Sequence, residues 1–262
     1  MDQSLVYSLI IGIFTGVSAG YLGSLMVLEK MALVGDALSH VALPGLALGI
    51  LFNFDPLLGG FAFLVASAVI IWHLARVTRL SFETIVGAIF TLALAVGILM
   101  IREVEALTEA LFGDIATVTY VQAIAAVVIS IASIFLTRII YNKIVLSMIS
   151  EELATSSGVN VARTNLLFLS LVSLVVAIGI KITGTLLVGF LVVVPAAAAR
   201  NLSSNLFRYY VLSAAFGAIS ASTGVLLSGY SGLPGGPLVV LSGVTLFIAT
   251  VIIRWATKFR AL

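Results

Sequence analysis

The chain has 262 residues, 61% of them hydrophobic and only 9% charged, with a mean hydropathy of +1.26. A soluble domain carries about a quarter charged residues, so this composition excludes a water-soluble globule, and the absence of cysteine excludes disulfides and thiolate metal ligands. The net charge of +2 is no argument for a nucleic-acid partner, because the basic residues have a topological explanation.

Apolar stretches fall near 5–25, 37–52, 57–75, 84–101, 118–138, 166–182, 184–199, 209–228 and 238–253. A spanning helix uses roughly 20 apolar residues, so nine would take about 180 positions and leave too few for a separate soluble domain. The pattern predicts an all-α polytopic membrane protein, one transmembrane domain over 1–262, with eight or nine transmembrane helices depending on the break at 182–184. The start, Met1-Asp2-Gln3, lacks a basic segment and a cleavage pattern, so the first stretch reads as a retained helix.

With the N-terminus outside and each stretch crossing once, eleven of the thirteen basic residues face the cytoplasm: Lys30, Arg76, Arg79, Arg138, Lys143, Arg163, Arg200, Arg208, Arg254, Lys258 and Arg260. Only Arg102 and Lys181 lie outside, which is the bias that sets orientation, and the C-terminus is then cytoplasmic. Asp2, Asp55, Glu103, Glu105, Glu109 and Asp114 gather outside.

Along the chain, Gly12, Gly16 and Gly20, then Gly45 and Gly49, then Gly217, Ala221 and Gly224, put small residues at the spacing of close helix pairs. Tight static packing outweighs a sliding pair as their explanation. The segment 102–117 reads as an acidic outer loop with partial helical period, 139–165 as the longest polar stretch, and 229–237 as a Gly/Pro turn that cannot continue a helix. His73, beside Arg76 and Arg79, reads as an interfacial residue, and Lys181 as a side chain snorkelling to the outer surface.

The chemistry concentrates in residues 31–45. Asp36 and His40, four apart, share one helix face. Ionisable groups within a span are costly and face a cavity or partner. Carboxylate and imidazole together suit zinc, manganese or ferrous iron, while a purely structural Asp–His pair has equal weight on spacing alone. Pro44 and Gly45 break or kink the helix one turn later, and a broken helix beside a polar pair tilts the balance toward transport.

Four stretches carry a family resemblance, MALVGDALSHVALPGLALG (31–49), LFGDI (111–115), SEELATSSGVNVARTNLLF (150–168) and TGTLLVGFLVVVPAAAAR (183–200), and the later GLPGGPLVVL (232–241) also fits it. In that order they resemble the membrane permease subunit of metal-ion ABC importers over nearly the whole chain. The resemblance implies the ABC importer permease fold, with Asp36 and His40 lining the metal path. It also implies a cytoplasmic coupling segment at about 148–162, in which Glu151, Glu152, Ala154 and Gly158 dock on an ATPase. Thr155-Ser156-Ser157 is a departure, more polar than the family pattern. Pro44, Gly45, Gly184 and Pro195 are the candidate helix-break and gating residues. The implied partners are a second permease copy, two ATP-binding cassette ATPase subunits, an extracytoplasmic metal-binding protein and the lipid bilayer of a prokaryotic plasma membrane.

No GxxxxGK[ST] loop occurs, so ATP binding falls to the partner, and the chain is expected to hold no cofactor, only the transported ion. The acidic outer segment reads at least as well as a solvated loop as it does as an attractor for divalent cations or a contact for the delivery protein. The rivals are a stand-alone secondary transporter or channel, and a membrane scaffold or receptor. An intramembrane enzyme is weaker, for want of HExxH or a Ser–His–Asp arrangement.

Overall fold

A computed structural model describes residues 3–78, 80–101, 104–114 and 117–259, without the side chains of 104, 105, 107, 258 and 259. Asp2, Arg79, Arg102, Glu103, Ile115 and Arg260, and the side chains of Glu105 and Lys258, therefore lie outside the described residues.

The described residues form helices only: α1 (Gln3–Leu28), α2 (Ala32–Val41), α3 (Leu43–Leu51), α4 (Pro56–Val77), α5 (Phe82–Met100), α6 (Val104–Phe112), α7 (Tyr120–Ile149), α8 (Glu151–Ser156), α9 (Val161–Leu202), α10 (Leu206–Ser231) and α11 (Gly235–Phe259). By length and hydropathy eight stretches are competent to span a bilayer, with α2 and α3 counted as one and α9 as one of 42 residues.

The course of α9 resolves the choice between eight and nine. Gly184 has φ 72° and ψ 172°, outside helical space, and a Cβ added to Gly179 would collide with the Val188 side chain. In a continuous helix those two positions stand about 13 Å apart at 1.5 Å per residue. The chain therefore folds back at Gly184, its arms 161–183 and 185–202 run antiparallel, and the described residues make nine crossings. An odd number places the two termini at opposite ends. Following the helix directions, Lys30, Arg76, Lys143, Arg163, Arg200, Arg208 and Arg254 fall toward the end bearing α8, and Lys181 toward the end bearing α6.

Small residues set the tightest contacts. Gly16 and Gly217 meet backbone to backbone, Gly12 faces Ala221 and Val225, and Ser213 donates a 2.5 Å hydrogen bond to the Gly20 carbonyl, joining α1 to α10. Gly224 departs from the expected face, since it packs on Val239 of α11. Replacing Gly16 with Leu drives a side chain into the Gly217 backbone. The expected result is a lower unfolding temperature in detergent, with the α1–α10 pair separated, and an unshifted midpoint would contradict this contact.

Two polar segments are more helical than the sequence predicted. Of 139–165, α7 takes the residues up to Ile149, α8 the next turn and α9 those from Val161. Of 229–237, only Gly232–Pro234 separates two helices. Gly232 ends α10 at φ 70°, and α11 starts at Gly235. Gly is favoured just past a helix end and Pro is tolerated in a first turn, so the cluster punctuates helices without forming a long loop.

Candidate functional site

The span carrying Asp36 and His40 is interrupted, but at Ala42 rather than at Pro44-Gly45. Pro44 lacks an N–H and its ring crowds the carbonyl four residues back, that of His40. The helix therefore closes early, with the Ala42 N–H reaching the Ser39 carbonyl at 3.4 Å, and Pro44 starts α3 in its first turn. Ala42 keeps right-handed helical angles, φ −68° and ψ −24°, so the interruption is a kink and does not unwind the backbone. Gly45 meets Gly59 backbone to backbone, which locks α3 against α4.

The pair itself is divided. His40 is 6% exposed, its Nδ1 is buried with no hydrogen-bond partner, and its ring lies 5.2 Å from that of Phe90 on α5. Asp36, one turn nearer the α8 end, is exposed on the surface of the single chain. Ser39 Oγ donates to the Asp36 backbone carbonyl at 2.6 Å. Gly189, in the second arm of α9, backs this site: a Cβ there would stand 2.7 Å from Asp36 Oδ1.

Asp36 lines a cavity of about 240 Å³ between α2 and α5, with Glu83, Gly87 and Phe90 on the opposite wall. From Phe90 to Glu83 is about 10 Å along α5, so the cleft runs from mid-span beside His40 to the α8 end. Glu83 was missed by sequence reasoning. It reads as an ordinary first-turn acid of a helix capped by Ser81, and its approach to Asp36, 47 positions away, leaves no local signal. Among the described residues no three His, Cys, Asp or Glu side chains cluster as a metal site.

At the α8 end, Ser150 caps α8 by accepting from the Leu153 N–H at 3.2 Å. Glu151 and Glu152 are exposed in its first turn, and Ala154 is fully buried as its anchor. Gly158 N–H bonds the Thr155 carbonyl at 3.0 Å, and Val159 N–H bonds the Ala154 carbonyl at 2.9 Å. This pair of bonds closes a helix through a left-handed residue, and Gly158 has φ 79° with open space around it. The Thr155 and Ser156 hydroxyls donate back to the Glu151 and Leu153 carbonyls, so both are satisfied within α8. Ile149 and Leu153 are 71% and 56% exposed there.

At the α6 end, Gly113, Gly184 and Gly236 meet. Cβ atoms on them would strike the Ile182, Leu111 and Thr183 carbonyls respectively. Thr185 Oγ1 donates to the Ala110 carbonyl at 3.1 Å, and the Asp114 N–H donates to the Lys181 carbonyl at 3.1 Å. Lys181 does not snorkel freely: its Nζ donates to Thr117 Oγ1 at 2.7 Å and lies 3.6 Å from Glu109 Oε1. The LFGDI and TGTLLVG stretches, about 70 positions apart, thus form one contact at the α9 fold-back. Pro195 is buried within the second arm.

Residues 1–254 match the ABC 3 transport family. The chain is 30% identical to the manganese transport system membrane protein MntC of Listeria monocytogenes, covering 94% of this chain and 88% of that one. It is 29% identical to the high-affinity zinc uptake system membrane protein ZnuB of Buchnera aphidicola, covering 95% and 97%. Among solved structures, PsaBC from Streptococcus pneumoniae in complex with Fab superposes with a TM-score of 0.84 at 28% identity, over 95% of this chain and 91% of that one. An inward-facing putative metal-chelate type ABC transporter shares the fold at a TM-score of 0.75 and 19% identity, over 94% and 85%.

Proposed function

The chain belongs to the ABC 3 transport family and is the membrane permease subunit of a metal ABC importer, a multi-pass protein of the prokaryotic plasma membrane, and we propose that its divalent cargo passes the Asp36 and His40 side chains of two copies of the chain. Zinc, manganese and ferrous iron all suit this donor pair.

The observation that carries this reading is the exposure of Asp36 within a span. A carboxylate within a span is costly unless it faces a polar cavity or a partner. Against a second copy the same carboxylate faces a path and meets its counterpart. Two copies double the donors of one, and the buried Nδ1 of His40 supplies a nitrogen that has no other duty among the described residues. The α2–α5 cleft then gives the ion an acid-lined way toward the α8 end, with Glu83 at its mouth.

Basic residues crowd the α8 end, which makes that end cytoplasmic. There α8, with Glu151, Glu152 and Leu153, and Ile149 at the end of α7 face a separate ATPase that supplies the energy. Movement pressed on α8 reaches the second arm of α9 through the packed bundle, and the Gly184 fold-back, with Pro195 further along that arm and the Ala42 kink that Pro44 and Gly45 follow, forms the hinge set of an outer gate. An extracytoplasmic metal-binding protein delivers the ion at the α6 end.

For coupling, Glu152→Ala and Gly158→Ala are expected to leave ATP hydrolysis running while uptake per ATP falls. Gly158→Ala fits the space but strains the left-handed residue by about 1–2 kcal/mol, which loosens the turn that holds α8. Uptake and hydrolysis measured together in proteoliposomes check this, and an unchanged ratio in both variants removes the docking role. A stand-alone secondary transporter predicts uptake without any ATPase.

A further inference from the structure

Glu29, in the turn after α1, lines a second cavity at the α8 end, of about 600 Å³, with Trp72 and Arg76 of α4, Ser147 of α7, Glu151 of α8 and Asn165 of α9. Its Oε2 is buried and has no hydrogen-bond partner among the described residues. Among those residues no Lys or Arg forms an ion pair with Glu29 or Glu151. Arg76 is engaged elsewhere, with its guanidinium carbon 4.9 Å from the centre of the Trp72 ring, and the Trp72 indole donates to the Ala162 carbonyl at 2.7 Å. Burial first, and the Glu151 carboxylate second, push Glu29 up to about 7. An unpartnered carboxylate oxygen held out of water is costly, and this one belongs to a half-buried Glu29 that shares an open cavity with a second carboxylate. The two acids form half of an ion-pair site with which no described Lys or Arg pairs, Arg76 in the same cavity included. A free metal ion fits poorly, because Arg76 shares the cavity and the described residues offer no third acid or imidazole there. Glu151 lines the cavity and also stands exposed in the first turn of α8, which joins the cavity to the face assigned above to the ATPase.

We propose that this cavity receives a basic side chain, lysine or arginine, from the ATPase subunit, with Glu29 and Glu151 as its carboxylate receptor. The proposal rests on the reading that an ATPase docks at α8. Among the described residues, the groups that set its charge are Glu29 on the α1–α2 turn, Arg76 on α4 and Glu151 on α8. The described lining residues of α7 and α9 are uncharged. In the free permease Glu29 is half protonated near neutral pH. An incoming cation favours the carboxylate, so docking releases a proton and weakens as pH falls through about 7.

The test is a titration of the purified ATPase subunit onto the full-length permease in nanodiscs at pH 8 and pH 6. The wild type is expected to lose about tenfold in affinity between those values. Glu29→Gln is expected to bind more weakly than wild type at pH 8 and to lose most of the pH step. Equal affinity and an equal step in Glu29→Gln would overturn the proposal. If that variant does not fold, Glu151→Gln, at an exposed position, carries the test. It must weaken docking several-fold and move the step to lower pH, and wild-type behaviour there would overturn the proposal as well. Failure of the wild-type permease to bind the ATPase at either pH would instead overturn the docking reading itself.

Discussion

Loss of metal uptake is the expected result of Asp36→Ala and, separately, of His40→Ala. Removing a supporting residue around a metal ligand costs 10–100-fold in affinity or activity, and removing the ligand itself costs at least as much, so uptake should fall on the order of 100-fold. The two variants should differ in their side effects. Asp36 is exposed on the single chain, so Asp36→Ala relieves a charge in the span and should leave the monomer's stability unchanged or raised. His40 is buried against Phe90, so its truncation opens a void beside the α2 kink and should lower the unfolding temperature. Both variants should still bind the ATPase. Uptake by reconstituted complexes, with co-purification of the ATPase as the assembly control, checks this, and normal uptake by both variants would remove the metal path from α2.

The second large effect is expected at Gly184. Its φ of 72° is costly for any residue with a Cβ, and that Cβ would run into the Leu111 carbonyl and stand 2.5 Å from the Phe112 nitrogen. Gly158 provides the internal comparison, with a similar φ but nothing within 4 Å of an added Cβ. Gly158→Ala carries the conformational cost alone, about 1–2 kcal/mol. Gly184→Ala adds a backbone collision that only a displaced α6 can relieve. The expected outcome is a clearly larger fall in unfolding temperature for Gly184→Ala, with uptake lost and the ATPase still bound at the opposite end. Equal shifts in the two variants would show that α6 does not press on the fold-back.

These two sites differ in how far the sequence revealed them. Every span was visible as an apolar stretch, because lipid imposes length and hydropathy on each crossing independently of its neighbours. The fold-back was visible only as a missing loop at 182–184. Whether that meant a bend or a reversal depended on the contact of Gly179 with Val188, which no local pattern encodes. The kink was placed two residues late, since proline acts on the turn before it and the chain closed α2 at Ala42. Asp36 and His40 stood out as polar residues in an apolar field, yet their different exposures follow from α5 and the second arm of α9. Glu29 and Glu83 did not stand out, because acids at helix ends are ordinary on a linear reading. Their significance comes from the cavities that distant helices build around them.

The central claim is that this permease moves a divalent metal ion only when a partner hydrolyses ATP. Proteoliposomes containing the permease with its ATPase subunit, loaded with the metal-bound delivery protein, test it most directly. Zinc, manganese and ferrous iron compete for uptake while ATP hydrolysis is followed in parallel. Metal accumulation that requires both the ATPase and hydrolysable ATP, and that disappears with Asp36→Ala, is the predicted result. Accumulation of equal rate and extent by the permease alone, or without ATP, would contradict it.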